Sequence, residues 1–202
     1  MPSTTLPEHG FCRMPRQTII KICGTDRVTF LHNFCTNDIK QLTNEDSCEL
    51  FITTVQGRCL GYATVTALED SLVLATAPGQ SETIIEHLSK YIITEDVSFV
   101  DFSEYNAFLI TSAGDTSFKI GKQDNGNIIL ACHWMKANAV WVFSADDQPA
   151  EIQGRESFSP DQANARRIEN RIPVYGLDVC IDNLPHEIQR TAQAINFNKG
   201  CY

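Results

Sequence analysis

CELFITTVQGRCLGYATVTALEDSLVLATA, residues 48–77, carries three runs rich in β-branched and apolar side chains. Residues 48–55, 58–68 and 71–77 read as strands, because β-branched residues favour a pleated, half-buried surface. Gln56-Gly57 and Glu69-Asp70 supply the turns between them. Connections this short join only antiparallel neighbours, so the stretch is a β-meander.

The flanking sequence extends this nucleus. TIIKICGTDRVTFLHNF starts as a strand at 18–23 and turns at Gly24. Thr25 is then the expected cap of a helix presenting Val28, Leu31 and Phe34 on one face. After the meander, Ser81 is expected to cap a helix with Ile84, Ile85, Leu88, Tyr91 and Ile92 on one stripe. Further strands are expected at 106–111 and 140–144. Between them, Asn125-Gly126 suits a tight hairpin whose two central residues both need positive φ. The block 48–145 thus predicts an antiparallel sheet covered on one face. DDQPAEIQGRESFSP, at 146–160, is polar and interrupted by Pro149, Gly154 and Pro160, and reads as a connector. Ser159-Pro160 is a helix entry, with DQANARRIENR as the helix. After Pro173 the chain is loop-rich. The fold class expected is α+β, antiparallel sheets with flanking helices.

Bulk properties narrow the function. The chain has 202 residues, 43% hydrophobic and 20% charged, enough for one large or two small domains with a real core. A formal charge of -9 argues against a broad nucleic-acid surface, which needs excess Lys and Arg. The apolar runs are too short to span a membrane, and MPSTTLPEHG has no apolar core of the secretory kind. Eight cysteines, no two closer than eleven residues, form no C-x-x-C pair. Reduced thiols in a cytoplasmic setting are expected, most of them as small core residues. The five histidines show no metal-ligand spacing, and nucleotide, zinc-peptidase and serine-hydrolase motifs are all missing.

Two places remain open to chemistry. Lys199 and Gly200 precede Cys201, so a nearby positive charge and a tight turn would favour a reactive thiolate there. A cysteine packed between Phe197 and Tyr202 is the plainer alternative. Glu169 lies among Arg166, Arg167 and Arg171. It is either one member of a solvated charge cluster or a carboxylate set to accept paired N–H donors from a planar heterocycle.

Taken in order, GTDRVTFLHNFCTNDI, the Gly57-Arg58 turn, RIENRIPVYGLDV and INFNKGCY resemble the YgfZ-type folate-binding proteins. These are relatives of the T-protein (aminomethyltransferase) of the glycine cleavage system. The resemblance runs from Ile19 to Tyr202, and the last four residues match the first half of a K-G-C-Y/F-x-G-Q-E signature. It implies small domains around a central hole that binds tetrahydrofolate. Residues 1–45 with 150–202 would form a first, discontinuous domain and 46–149 an inserted β-rich one. A C-terminal β-barrel would lie beyond Tyr202. It further implies that Glu169 contacts the pteridine, that Tyr175 stacks on or edges it, and that Arg58 and Lys199 belong to the binding site. Cys201 would be the functional thiol.

The resemblance departs from the transferase at one point. T-proteins carry G-G-h-h-D-D (h, apolar) in the meander, whereas this chain has Gly57, Arg58, Cys59, Leu60, Gly61 and Tyr62. Loss of both carboxylates would remove an acid–base factor of ~10²–10⁴. A tetrahydrofolate-binding accessory protein is therefore expected, and the resemblance implies iron–sulfur proteins, including tRNA-modifying enzymes, as its partners. The alternatives are an aminomethyltransferase using a relocated carboxylate, Glu49 or Asp101, and a ligand-free interaction protein.

Overall fold

A computed structural model of the chain describes residues 6–112, 118–135 and 139–200. Eleven strands occur among them: β1 (Gly10–Met14), β2 (Thr18–Cys23), β3 (Ser47–Thr53), β4 (Cys59–Ala67), β5 (Ser71–Thr76) and β6 (Ser98–Asp101), then β7 (Asn106–Thr111), β8 (Gly121–Lys122), β9 (Ile128–Ala131), β10 (Ala139–Ser144) and β11 (Glu156–Ser157). The α-helices are α1 (Arg27–Phe34), α2 (Ser81–Ser89), α3 (Pro160–Glu169) and α4 (Thr191–Ala194). The fold is α+β, with antiparallel sheets and flanking helices. None of these helices is long and apolar enough to cross a membrane.

The chain divides into two compact units, Met1–Gln17 with Glu104–Ile172, and Thr18–Ser103 with Pro173–Tyr202. Both are discontinuous, but their boundaries differ from the expected 45/46 and 149/150. The reason is strand pairing: β2 joins β5 and β6, which keeps residues 18–45 with the meander.

In the second unit the sheet order is β3-β4-β5-β2-β6, antiparallel throughout. Strand alternation puts Ile20, Ile22, Leu50, Ile52, Val65, Leu72 and Leu74 into one core with Leu31 of α1 and Ile84 and Leu88 of α2. Each such side chain contributes about 1.5–3 kcal/mol on full burial. Tyr91 and Ile92 fall beyond the end of α2, yet pack on this core as the stripe predicts. Thr25 does not cap α1; Asp26 is the N-cap residue, and the Thr25 hydroxyl instead donates to Asp96 Oδ2 at 2.9 Å. Similarly, Gln80 rather than Ser81 is the N-cap of α2. Gly24 has φ +104, and a Cβ there would lie 1.9 Å from the Asp96 carbonyl oxygen.

In the first unit the order is β11-β1-β7-β10-β9-β8, with β1 and β11 parallel and the remaining pairs antiparallel. The meander and the 106–144 strands thus form two sheets, not the single sheet expected for 48–145. Phe108, Ile110, Ile129, Val142 and Ile152 make one core cluster. The β8–β9 connection is longer than a two-residue turn. Gly126 N–H donates to the Gln123 carbonyl at 2.9 Å, and of the expected pair only Gly126 has positive φ. The Ser159-Pro160 entry forms as read: Ser159 Oγ accepts from Gln162 N–H at 3.2 Å, and Gln162 Oε1 accepts from Ser159 N–H at 3.0 Å.

Candidate functional site

The second unit gathers most of the residues singled out from sequence, on the start of β4 and on the returning segment 173–200. Thr54 N–H donates to the Arg58 carbonyl at 2.9 Å and Gly57 N–H to the Thr54 carbonyl at 2.8 Å, closing the turn before β4. Gly57 has φ +74, a left-handed conformation that glycine adopts without strain. The exposed Arg58 directs its guanidinium to the Asp182 carbonyl.

That carbonyl belongs to a second tight loop. Val174 N–H donates to Asp178 Oδ2 at 2.9 Å, and Gly176, at φ +86, donates its N–H to the Val179 carbonyl at 2.7 Å. The turn presents Tyr175, whose hydroxyl donates to the Cys59 carbonyl at 3.2 Å. Burial, then the nearby Cys180 and Cys59 thiols, hold this phenol above its ordinary pKa. Arg58 and Tyr175, distant in sequence, are thus brought to the same turn.

Lys199 sits elsewhere. Its ammonium donates to the carbonyls of His32 and, at 2.6 Å, of Cys35. These lie at the C-terminal end of α1, where backbone carbonyls lack intrahelical partners and a cation is favoured. Burial holds Lys199 below its ordinary pKa. Glu169 is in the other unit, exposed at the end of α3, with Oε2 accepting from Arg166 at 2.7 Å. Arg167 is buried instead: it donates to Asn164 Oδ1 at 2.8 Å and to the Ile172 carbonyl at 2.5 Å, and lies over the Trp134 ring at 6.0 Å. Cys201 lies outside the described residues.

A cluster absent from the expected site occupies the meander. Glu49 on β3 is buried, with its side chain 4% exposed. Arg190, just before α4, grips the carboxylate with both Nη2 and Nε, the latter to Oε2 at 2.7 Å. The Tyr62 hydroxyl of β4 donates to the same Oε2 at 2.6 Å. Burial, reinforced by the Glu49 charge, pushes the Tyr62 phenol far up. Asn37 and Thr36 extend the connection to the returning segment. Asn37 Nδ2 donates to the carbonyls of Glu49 and Gln193, both at 2.8 Å. Thr36 Oγ1 donates to the Ala194 carbonyl at 2.6 Å and accepts from Phe51 N–H at 2.9 Å.

The other relocated carboxylate considered, Asp101, accepts from Ser103 N–H at 2.8 Å and from the hydroxyls of Ser103 and Ser81. Partial burial pulls its pKa up, but these bonds outweigh that effect and hold it below the ordinary carboxylate value. Both carboxylates therefore have well-defined partners within the protein.

No family model matches the chain. Over 111 residues it is 26% identical to a putative chloroplastic transferase of Arabidopsis thaliana, an alignment spanning 54% of this chain and 26% of the relative. Its fold is similar to that of glycine cleavage system aminomethyltransferase T from Bartonella henselae, with a TM-score of 0.76 and 15% identity. That match covers 90% of this chain and 56% of the aminomethyltransferase. The chain therefore spans little more than half of its structural neighbour and about a quarter of the curated relative.

Proposed function

We propose that this protein is a tetrahydrofolate-binding accessory protein of the YgfZ type, without aminomethyltransferase activity. In this reading it serves iron–sulfur enzymes, tRNA-modifying ones among them, in the cytoplasm. The observation that carries the reading is an aminomethyltransferase-like fold in which the buried carboxylate of the meander, Glu49, is already held by Arg190 and Tyr62. Gly61 and Tyr62 occupy the two positions that the resemblance gives to aspartates. Glu49, on the neighbouring strand, is gripped by Arg190 and Tyr62. In this reading Glu49 serves as acceptor to the guanidinium and the phenol and does not supply the usual acid–base factor of ~10²–10⁴.

Two of the expected ligand residues have side chains suited to a folate. Glu169 is an exposed carboxylate able to accept N–H donors, and Tyr175 is a partly exposed aromatic ring able to pack on a heterocycle. Bound tetrahydrofolate would supply a carrier for one-carbon units. Arg58 and Lys199 have their head groups on backbone carbonyls, and we assign them to positioning the β4 turn and the returning segment. Cys201 is the proposed functional thiol, for exchange or one-carbon chemistry.

Calorimetric titration with tetrahydrofolate tests the ligand. Binding is expected for the wild type and a loss of at least tenfold in affinity for Glu169→Ala. No heat at ligand concentrations well above micromolar overturns the folate reading. A turnover assay with aminomethyl-lipoyl carrier protein tests the chemistry: no product is expected, and steady production of methylenetetrahydrofolate overturns the accessory role.

A further inference from the structure

The backbones of two cysteines are held together where the 173–183 loop lies on the start of β4. Cys59 N–H donates to the Asn183 carbonyl at 2.9 Å. The Asn183 side chain accepts from Cys180 N–H at 2.9 Å, while Asn183 N–H returns to the Cys180 carbonyl at 3.1 Å. One asparagine therefore ties the backbones of both cysteines together. Tyr175 adds a second tie, through its hydroxyl bond to the Cys59 carbonyl and its bridge to Val179, the neighbour of Cys180. The thiols are near enough that the charge of Cys180 raises the pKa of Cys59. They differ in access: Cys180 is exposed and Cys59 is fully buried.

We infer that Cys59 and Cys180 form a redox-responsive dithiol, closed to an intramolecular disulfide by a low-molecular-weight disulfide such as oxidised glutathione. Accessibility sets the order of events. The Cys180 thiol loses its proton to solvent and attacks one sulfur of the small disulfide, forming a mixed disulfide and releasing one small thiolate. Cys59, deprotonated as the loop opens, then attacks the Cys180 sulfur and displaces the second small thiolate. Both thiolates take up protons, so the protein loses two hydrogens and one small disulfide becomes two small thiols. The second step is the slow one, because burial pushes the Cys59 thiol up to about 12. Closure fixes the Tyr175 loop to β4 covalently. This inference does not depend on a folate being bound.

The test uses the native protein in oxidised glutathione, quenched by alkylation and digested with trypsin. Cleavage after Arg58, Lys90, Arg171 and Arg190 yields peptides 59–90 and 172–190, each with one cysteine. The expected result is a 59–90/172–190 cross-linked peptide as the main product at Cys180, reversed by dithiothreitol and no longer formed by Cys180→Ser. Cys180 is exposed, so this variant retains the buried packing. Accumulation of a glutathione adduct at Cys180 with Cys59 still reduced overturns the proposal. So does a cross-link formed no faster in the folded protein than in urea.

Discussion

Arg190→Ala removes the cation from a carboxylate that the fold keeps away from water. The Glu49 and Arg190 side chains are 4% and 12% exposed, and the substitution removes two guanidinium bonds while the Tyr62 hydroxyl bond stays. Stranding one member of a buried pair costs about 3–5 kcal/mol, against total domain stabilities of about 5–15 kcal/mol. The ratio of unfolded to folded second unit should therefore rise by roughly two to four powers of ten. Both tryptophans, Trp134 and Trp141, lie in the first unit, so indole fluorescence is a poor reporter. Urea unfolding should instead be followed by far-ultraviolet circular dichroism, with hydrogen exchange at the amides of Thr36, Phe51 and Asn196, which form the bonds joining 36, 51 and 194–196. Adding Glu49→Gln to the Arg190→Ala protein should recover about half of the loss, since a neutral amide costs less to bury than an unpaired carboxylate. A cost below about 1 kcal/mol for Arg190→Ala, the behaviour of an exposed pair, would refute the reasoning.

Gly24→Ala should abolish soluble expression or lower the melting temperature severely, because its Cβ would meet the Asp96 carbonyl oxygen at 1.9 Å. Gly57→Ala, also at positive φ but with nothing within 4 Å, should cost only about 1–2 kcal/mol by urea unfolding. Ser159→Ala breaks the α3 capping box and should cost about 0.5–2 kcal/mol, read here by tryptophan fluorescence. For His32, burial, then the charges of Lys199 and Lys40, hold the pKa below 6.5 against a smaller pull from Asp38. The unfolded chain takes up that proton first as pH falls, so stability is full above about 6.5 and declines below it. Melting temperatures measured across this range should show the decline, and His32→Asn should flatten it.

The meander was legible to within two residues at every strand end, because alternation and turn chemistry act over a few neighbours. Strand pairing was not legible, since β2 reaches β5 across some fifty residues and local pattern does not encode that choice. β1 and β6 escaped notice for related reasons: GFCRM carries an arginine, and SFVD is short and mostly exposed. The Asn125-Gly126 reading recognised a hairpin but not its length, because the Asn125 side chain accepts from Asn127 N–H at 3.0 Å in a wider loop.

Charged residues near the candidate site needed a different kind of reasoning. The resemblance gives Lys199 and Arg58 to the binding site, and in the structure their head groups donate to backbone carbonyls at the end of α1 and in the 173–183 loop. Glu49 carried the stronger signal. Within CELFIT it shares a strand face with Phe51, and a carboxylate at such a position must find a cation or neutralise. Cross-strand register brings in Tyr62, which pairs with Phe51 and lies diagonally from Glu49. What the sequence withheld was the identity of the cation, because Arg190 is 141 residues away, in a segment with no periodic pattern. The same pairing that holds Glu49 uses both of its carboxylate oxygens as acceptors. Glu49, weighed as a relocated carboxylate of the transferase alternative, is through Arg190 also part of a buried network that ties the meander to the returning segment.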